Sequence, residues 1–278
     1  MLQAADVRFG YGAADVLGGV SLTIARQALV GILGPNGSGK TTLLRLLAGR
    51  LRPRRGIVTL DGRDVSSVAT STLARRMAVV PQETHLAFEY TVMEIVLMGR
   101  YPHLGAFELE GPRDLAIARA ALAATGTAAL EARPFSTLSG GEKQRVIIAS
   151  ALAQLDAGTT AAARDTAGVL LLDEPTASLD IGYQLDVAAL LRRLWQDRRI
   201  TIVVSTHDLN FAAAVCKELV LLRDGRILAA GPTPAVLTPR HIRELYGVEA
   251  DVRLHEGAGH LTVVPIARRE VEASEARR

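Results

Sequence analysis

A glycine-rich segment at residues 34–41 follows the pattern G-x-x-x-x-G-K-[ST], between an apolar run and a helix-forming stretch. Glycines let the backbone wrap closely around phosphate oxygens, and the helix N-terminus that follows adds favourable partial positive charge. In this pattern the lysine reaches the β- and γ-phosphates, and the next hydroxyl binds Mg²⁺. The segment predicts a site for a nucleoside triphosphate with Mg²⁺, formed by Gly34, Pro35, Asn36, Gly37, Ser38, Gly39, Lys40, Thr41 and Thr42.

An acidic pair, Asp173 and Glu174, follows the apolar run at 169–172. Two acids at the end of a strand would be unremarkable alone, but a phosphate-binding loop needs such a partner. The first carboxylate is placed to hold Mg²⁺ through water, and the second is placed to polarise an attacking water. The pair therefore predicts hydrolysis of the terminal phosphate, with Glu174 as the base and Lys40 stabilising charge on the phosphoryl group.

Short apolar runs surround both features and predict the strands that position them. The runs at 28–33 (ALVGIL), 169–172 (VLLL) and 200–204 (ITIVV) are continuous, which is typical of parallel strands covered on both faces. The run at 78–80 (AVV) predicts another strand of this kind. The start of the chain and 56–61 (GIVTLD) alternate in polarity, which indicates antiparallel edge strands.

The stretch from about 83 to 154 contains few strand signals and predicts an inserted helical lobe. Residues 92–100 and 113–125 carry helical spacing and many Ala and Leu residues, which favour helix. The segment 155–167 (LDAGTTAAARDTA) has few large apolar residues and predicts a surface loop. The resulting fold class is an α/β core with an antiparallel β edge subdomain and an inserted α-helical subdomain.

The last part of the chain contains one hairpin signal and a polar end. Residues 219–222 and 227–230 flank an Asp-Gly pair, which predicts a tight hairpin. Residues from about 241 onward are polar and charged, so we expect a domain at 1–240 and an extension at 241–278 that is frayed at its end.

Composition restricts the class of protein. Hydrophobic residues make up 49% of the 278 residues, which is enough to form a large core, and the net charge is only +3. That small surplus does not suggest a protein that coats nucleic acid. The single cysteine excludes an internal disulfide and a Cys-based zinc site. No apolar run approaches about 18 residues and no signal-peptide pattern opens the chain, so we expect a cytoplasmic protein that would reach a membrane only through a partner.

The segment 138–145 (LSGGEKQR) lies between the two phosphate-related motifs and resembles the signature of the ATP-binding-cassette (ABC) ATPases. Other segments resemble further motifs of that family in the family's order. They are an aromatic residue near the start, a glutamine after the AVV run, an aspartate after Ser-Leu, and a histidine after the ITIVV run: Tyr11, Gln82, Asp180 and His207.

The resemblance implies a P-loop (RecA-like) core and a role for each of these residues. Tyr11 would stack on adenine, Gln82 would touch Mg²⁺ or water, and His207 would contact the γ-phosphate. In the family, the phosphate loop of one copy faces the signature of a second copy. Ser139, Gly140, Gly141 and the D-loop residue Asp180 would thus help close two ATP sites in a head-to-tail homodimer.

Two further segments are similar to ATPases that drive uptake of iron–siderophore complexes, heme and cobalamin: 99–103 (GRYPH) and 245–248 (LYGV). The segment 155–167 makes the stretch between the signature and Asp173 longer than in most members of the family, and added residues at this place are typical of the heme-uptake group. This resemblance implies integral membrane permease subunits as partners, a substrate-binding protein met only indirectly, and no nucleic acid. Three alternatives stay open, namely a soluble ABC ATPase in cofactor assembly or repair, the ATPase of an exporter, and a nucleotide-binding subunit without turnover.

Overall fold

The computed structural model describes residues 1–84, 86–156 and 168–268. Most of the expected loop at 155–167, the residue His85 and the end of the expected tail lie outside the described residues. Within the described part of the chain, none of the helices is long and apolar enough to cross a membrane.

Twelve strands are described within those three ranges. They are β1 (Leu2–Tyr11), β2 (Ala14–Ile24), β3 (Leu29–Leu33), β4 (Arg55–Leu60), β5 (Arg63–Asp64), β6 (Met77–Val80), β7 (Val169–Asp173), β8 (Thr201–Thr206), β9 (Glu218–Arg223), β10 (Arg226–Pro232), β11 (Val248–His255) and β12 (His260–Arg268).

Nine α-helices are described in the same ranges. They are α1 (Lys40–Leu47), α2 (Thr70–Ala74), α3 (Val92–Met98), α4 (Pro112–Ala124), α5 (Gly140–Leu155), α6 (Ile181–Arg198), α7 (Leu209–Val215), α8 (Thr233–Val236) and α9 (Pro239–Tyr246). Short 3₁₀ turns lie at Tyr101–His103, Ala128–Leu130 and Phe135–Thr137.

The central sheet has six strands in the order β10-β9-β3-β8-β7-β6. Strands β9, β3, β8, β7 and β6 are parallel, and β10 is antiparallel at one edge. Every residue of β3, β7 and β8 is buried, as their continuous apolar sequences predict. The parallel register brings the carboxyl ends of β3, β7 and β8 to one edge of the sheet, where the phosphate loop, the acidic pair and His207 follow.

A separate antiparallel sheet has the order β2-β1-β4-β5, which confirms the predicted antiparallel pairing, but β1 and β4 are the inner strands of this sheet and not edge strands. The predicted hairpin is also present, because β9 and β10 pair across a turn in which Asp224 and Gly225 both have positive φ. These two φ values are those of the two-residue turn that Asp-Gly favours.

The helical lobe lies between β6 and β7, where the sequence predicts it. Helix α5 contacts both α3 and α4, and its C-terminal part continues into the core beneath β6. Gly99, at the end of α3, allows a close approach to α5, since a Cβ there would lie 2.2 Å from the Ser150 carbonyl oxygen. The lobe is therefore packed tightly against α5, the helix that begins at the signature.

The expected extension from residue 241 contains regular secondary structure over 241–268, and its expected frayed end lies beyond the described residues. Helix α9 spans the expected boundary at 240, and β11 and β12 form a paired hairpin. Ile242, Leu245, Ala250 and Val263 are buried in the larger core cluster. Helix α9 has apolar residues every three to four positions, which could have predicted one buried face despite its charged composition.

Candidate functional site

The phosphate loop connects the end of β3 to the start of α1. Gly39, the residue before the helix, has a φ of 102°, a backbone conformation that residues with a side chain rarely adopt. Gly34 is restricted by space instead, since a Cβ there would lie 2.3 Å from the Leu222 carbonyl oxygen. The amides of the first turn of α1 have no carbonyl partner within their helix, which leaves them available to an anion.

Lys40 is buried, with its side chain only 5% exposed, and its amine is held at the centre of the site. Its Nζ donates to the carbonyl oxygens of Gly34, at 2.9 Å, and Pro35, at 3.2 Å. The same Nζ lies 3.2 Å from Glu174 Oε1. A buried ammonium group needs such partners, and here one partner is the predicted base.

Asp173 ends β7, and one of its carboxylate oxygens accepts hydrogen bonds from two hydroxyl groups. Thr41 Oγ1 donates to Asp173 Oδ1 at 3.1 Å, and Ser205 Oγ donates to it at 2.6 Å. Ser205 lies on β8 and is fully buried. The structure thus brings the two predicted metal-binding residues, Thr41 and Asp173, into direct contact.

Glu174 has a φ of 46°, an uncommon value for a residue other than glycine. Its N–H donates to the Ser205 carbonyl oxygen at 3.0 Å and to Ser205 Oγ at 3.1 Å, which holds this backbone in place. Strained backbone of this kind is concentrated at functional sites. Sequence reasoning missed Ser205, although its place next to the Thr-His pair at the end of a buried strand was a usable signal.

His207 follows β8 directly, and its Nδ1 lies 3.0 Å from Glu174 Oε2. Its side chain is 55% exposed, so the imidazole borders the open cleft. The next residue, Asp208, caps α7 by accepting hydrogen bonds from the N–H groups of Asn210 and Phe211. Glu174 is thereby held between a lysine and a histidine, one at each carboxylate oxygen.

Lys40, Thr41, Glu174 and His207 line a cleft of about 770 Å³, and Asp173 lines a smaller pocket that shares Thr41 and Gln82 with this cleft. Of the residues predicted from sequence, the cleft includes Asn36, Gly37, Gly39, Lys40, Thr41, Thr42, Gln82, Glu174 and His207. Residues that were not predicted also line it: Val16, Thr176, Ala177, Ser178, Gln184, Thr206 and Asp208. Most of the additional residues lie within a few positions of a predicted one. The motifs therefore indicated where the cleft lies but included only part of its lining.

Tyr11 does not line this cleft. Its ring is about half exposed and meets Phe9 edge to face, with 5.0 Å between ring centroids. The exposed ring remains available for stacking.

The signature residues also lie outside the cleft. Ser139 caps α5, since its hydroxyl accepts from the Glu142 N–H at 3.3 Å while Glu142 Oε2 accepts from the Ser139 N–H at 2.8 Å. A Cβ on Gly141 would lie 2.2 Å from the Tyr183 ring, and a Cβ on Gly140 would lie 3.3 Å from Leu179. The signature therefore packs against the start of α6 rather than against the phosphate loop of its own chain.

Asp180 lies close to the signature and caps α6. Its Oδ1 accepts a hydrogen bond from the Tyr183 N–H at 3.1 Å, so its side chain already serves the helix N-terminus. Asp180 and Ser139 thus cap two neighbouring helices, outside the lining of the cleft.

The residues around Thr41 fit a magnesium ion. Magnesium prefers oxygen ligands and is usually held by one or two carboxylates together with phosphate oxygens and water. The Thr41 hydroxyl and the Asp173 carboxylate supply such oxygens in contact with each other, and Gln82 lines the same cleft.

Comparisons with known sequences agree with this geometry. The family model for ABC transporters matches residues 17–177. The chain is 44% identical over 254 residues to the hemin import ATP-binding protein HmuV of Bordetella pertussis, covering 91% of this chain and 95% of that protein. It is 41% identical over 260 residues to the cobalamin import ATP-binding protein BtuD of Halobacterium salinarum. That match covers 94% of this chain but spans only 62% of the relative's length.

Solved structures give the same result for the fold. A metal-chelate type ABC transporter in an inward-facing conformation superposes with a TM-score of 0.81 at 29% identity, covering 96% of this chain and 97% of that one. The cbiO1 protein of Clostridium perfringens, part of the cbiONQ transporter complex, superposes with a TM-score of 0.74 at 27% identity. That match covers 87% of this chain and 92% of the other.

Proposed function

The chain belongs to the ABC transporter family of ATP-binding proteins, and on that premise we propose that it is the ATP-hydrolysing subunit of a membrane importer for a metal chelate. The observation that carries the proposal is the meeting of Lys40, Glu174 and His207 in one cleft beside the phosphate loop. Those groups supply a cation for phosphate, a base for water and a polar contact near the base.

Each residue has a defined task in this proposal. Lys40 and the first-turn amides of α1 would hold the β- and γ-phosphates of ATP. Because Lys40 contacts Glu174 Oε1 in this structure, a phosphate bound by Lys40 would compete with that contact and free the carboxylate. Glu174 would then accept a proton from the attacking water, while His207 would orient the groups around the γ-phosphate.

Thr41 and Asp173 would hold Mg²⁺, with Gln82 contributing from the cleft lining beside Thr41. When bound, this ion would neutralise charge on the phosphate oxygens. Ser205 holds both acidic residues in place, because its hydroxyl donates to the Asp173 carboxylate and accepts from the Glu174 N–H.

The position of the signature supports a head-to-tail homodimer. Ser139, Gly140 and Gly141 stand at the N-terminus of the sixteen-residue helix α5, yet they do not line the cleft of their own chain. In a twofold dimer they would close the cleft of the partner, together with Asp180, and Tyr11 would cover the adenine.

The importer role and the cargo follow from the relatives. The hemin import protein of Bordetella pertussis is matched over nearly its whole length, so hemin is the cargo to test first, with cobalamin and iron–siderophore complexes next. We place the chain at the cytoplasmic face of the membrane, bound to integral permease subunits and reaching a substrate-binding protein only through them.

The enzymatic part is tested by replacing Glu174 with glutamine, which keeps the size of the side chain and removes its basicity. We expect the Glu174→Gln variant to bind ATP normally and to lose hydrolysis by about 10²-fold or more. The exposed Glu256 provides the control, since Glu256→Gln should hydrolyse ATP at the wild-type rate. Wild-type turnover in Glu174→Gln would reject the assigned base.

The transport part is tested with the same variant. Glu174→Gln protein with ATP is used to capture partners from detergent-solubilised membranes of its source. A polytopic membrane protein is the expected partner, and the ATPase activity of the wild-type chain reconstituted with that partner should then rise with hemin. Recovery of soluble proteins or nucleic acid alone would contradict the transporter role, and stimulation by cobalamin but not by hemin would reassign the cargo.

A further inference from the structure

The C-terminal segment 239–268 reaches back to the candidate site through helix α9. The hydroxyl of Tyr246, the last residue of α9, donates to the carbonyl oxygen of His207 at 3.4 Å. This tyrosine is partly buried, and burial together with the nearby carboxylates of Glu174 and Asp208 raises its pKa. The phenol is therefore a neutral hydrogen-bond donor held close to the predicted base.

The hairpin β11–β12 makes a second, independent connection. The side-chain amide of Asn210 pairs with the backbone of Val263 in both directions, accepting from its N–H at 2.8 Å and donating to its carbonyl at 3.2 Å. Asn210 lies in the first turn of α7, three residues after His207. The hairpin is thus bonded to the turn that carries the histidine.

Packing fixes this hairpin against α7. Val263 is 3% exposed and Ala250 is 7% exposed, and both belong to the same buried cluster as Phe211 and Ala212 of α7. At the other end of the segment, Gly247 has a φ of 68° and lets the chain turn from α9 directly into β11. An ion pair between Arg243 and Glu249, at 2.6 Å, spans the same turn.

We infer that the segment 239–268 positions His207 for hydrolysis, with Tyr246 and Asn210 as its two positioning residues. His207 has an exposed side chain, and its contact with Glu174 is a single hydrogen bond, so its placement depends on the backbone around it. The C-terminal segment holds that backbone on two sides, at the His207 carbonyl and at the start of α7. The inference rests on the proposed ATPase function, since only there does the placement of His207 have a catalytic consequence.

The first test observes His207 directly in the full-length chain without nucleotide. The protein carries ¹³C-labelled histidine, and the His207 Cε1–H resonance is assigned by its loss in His207→Gln. Tyr246→Phe, which removes one hydroxyl, and Asn210→Ala should each shift or broaden that resonance, while His103 in the helical lobe stays unchanged. The control is Thr262→Val, which removes a 3.4 Å bond to Arg253 within the hairpin and should leave the His207 resonance at its wild-type position.

The second test measures steady-state ATP hydrolysis. We expect Asn210→Ala to lower kcat by about tenfold and Tyr246→Phe to lower it severalfold, with the KM for ATP unchanged, since small displacements of a positioned group reduce turnover. Thr262→Val should match the wild type. A purely structural role would instead lower the amount of active protein in all three variants, without moving the imidazole resonance.

The outcomes separate the two hypotheses. A wild-type chain that does not hydrolyse ATP would reject the proposed function, whereas the imidazole resonance would still report on the contact. An unchanged His207 resonance and an unchanged kcat in Tyr246→Phe, which removes one oxygen atom and should fold, would overturn the positioning role even where Asn210→Ala fails to fold.

Discussion

Two helices of this molecule, α1 and α5, begin with glycine-rich segments, and the glycines differ in what they do. In the phosphate loop, Gly37 and Gly39 have φ values of 80° and 102°, so their importance lies in the backbone. At the signature, neither Gly140 nor Gly141 has a positive φ, and Gly141 faces the Tyr183 ring with no room for a Cβ. The phosphate loop thus needs glycine for backbone conformation as well as for space, whereas the signature needs Gly141 for close packing alone.

The polar groups of the two segments differ in the same way. The N-terminus of α5 is already satisfied within the chain, because Ser139 and Glu142 cap each other. The N-terminus of α1 has no side-chain cap, and its lysine is turned toward a cleft. Two helix starts with similar composition therefore have different requirements, and the uncapped one is the stronger anion site of a single chain.

The largest expected effect is on the uncapped segment. Lys40→Ala removes the buried ammonium group that contacts Glu174, and we expect ATP hydrolysis to fall by about 10²–10³-fold with weakened ATP binding. Lys217, which is exposed beside Trp195, provides the control, and Lys217→Ala should retain activity. Calorimetric titration and a phosphate-release assay measure the two quantities. Unchanged ATP affinity in Lys40→Ala would remove the distinction between the two helix starts.

The motifs predicted most of the site because each is a local pattern whose strand or helix is also local. The runs before Gly34, Asp173 and His207 are apolar enough to be recognised as buried strands, and parallel pairing then brings their ends together. What could not be predicted is what depends on contacts between distant segments. The Ser205 hydroxyl bonds the Asp173 carboxylate and the Glu174 N–H from a neighbouring strand. The hydrogen bond from the Tyr246 hydroxyl to the His207 carbonyl oxygen likewise joins distant parts of the chain.

The C-terminal segment shows the limit of composition as a guide. Its charged residues suggested a polar extension outside the domain, yet a few apolar positions suffice to anchor 241–268 in the core: Ile242, Leu245, Ala250 and Val263. The spacing of the apolar residues in α9 indicates a buried face that the average polarity of the segment does not, since a short amphipathic helix needs only one buried face.

The second prediction separates conformation from packing by paired substitutions. Gly141→Ala should destabilise the fold by about 1–3 kcal/mol through overpacking, and Tyr183→Ala in the same chain should recover part of that loss. Gly39→Ala should cost about 1–3 kcal/mol through its backbone, and trimming Leu17, whose Cδ2 lies 2.7 Å from the place of the new Cβ, to Ala should relieve that contact but leave the backbone cost. Urea unfolding of the single and double variants measures both coupling energies, and equal coupling in the two pairs would reject the comparison.

The smallest expected effect concerns the cap of α5. The N–H of Ser139, with further hydrogen bonds and nearby arginines, lowers the pKa of Glu142 from its ordinary value of 4.5. Because the folded-state pKa lies below the unfolded one, the ionised carboxylate stabilises the fold above about pH 4.5, and this contribution is lost as the pH falls through the lowered pKa. Glu142→Gln should thus be less stable than wild type at pH 7, and the difference should shrink on acidification. Urea unfolding at several pH values between 3 and 7 measures it, and since α1 has no such cap, a pH-independent difference would mean that α5 is held by packing alone.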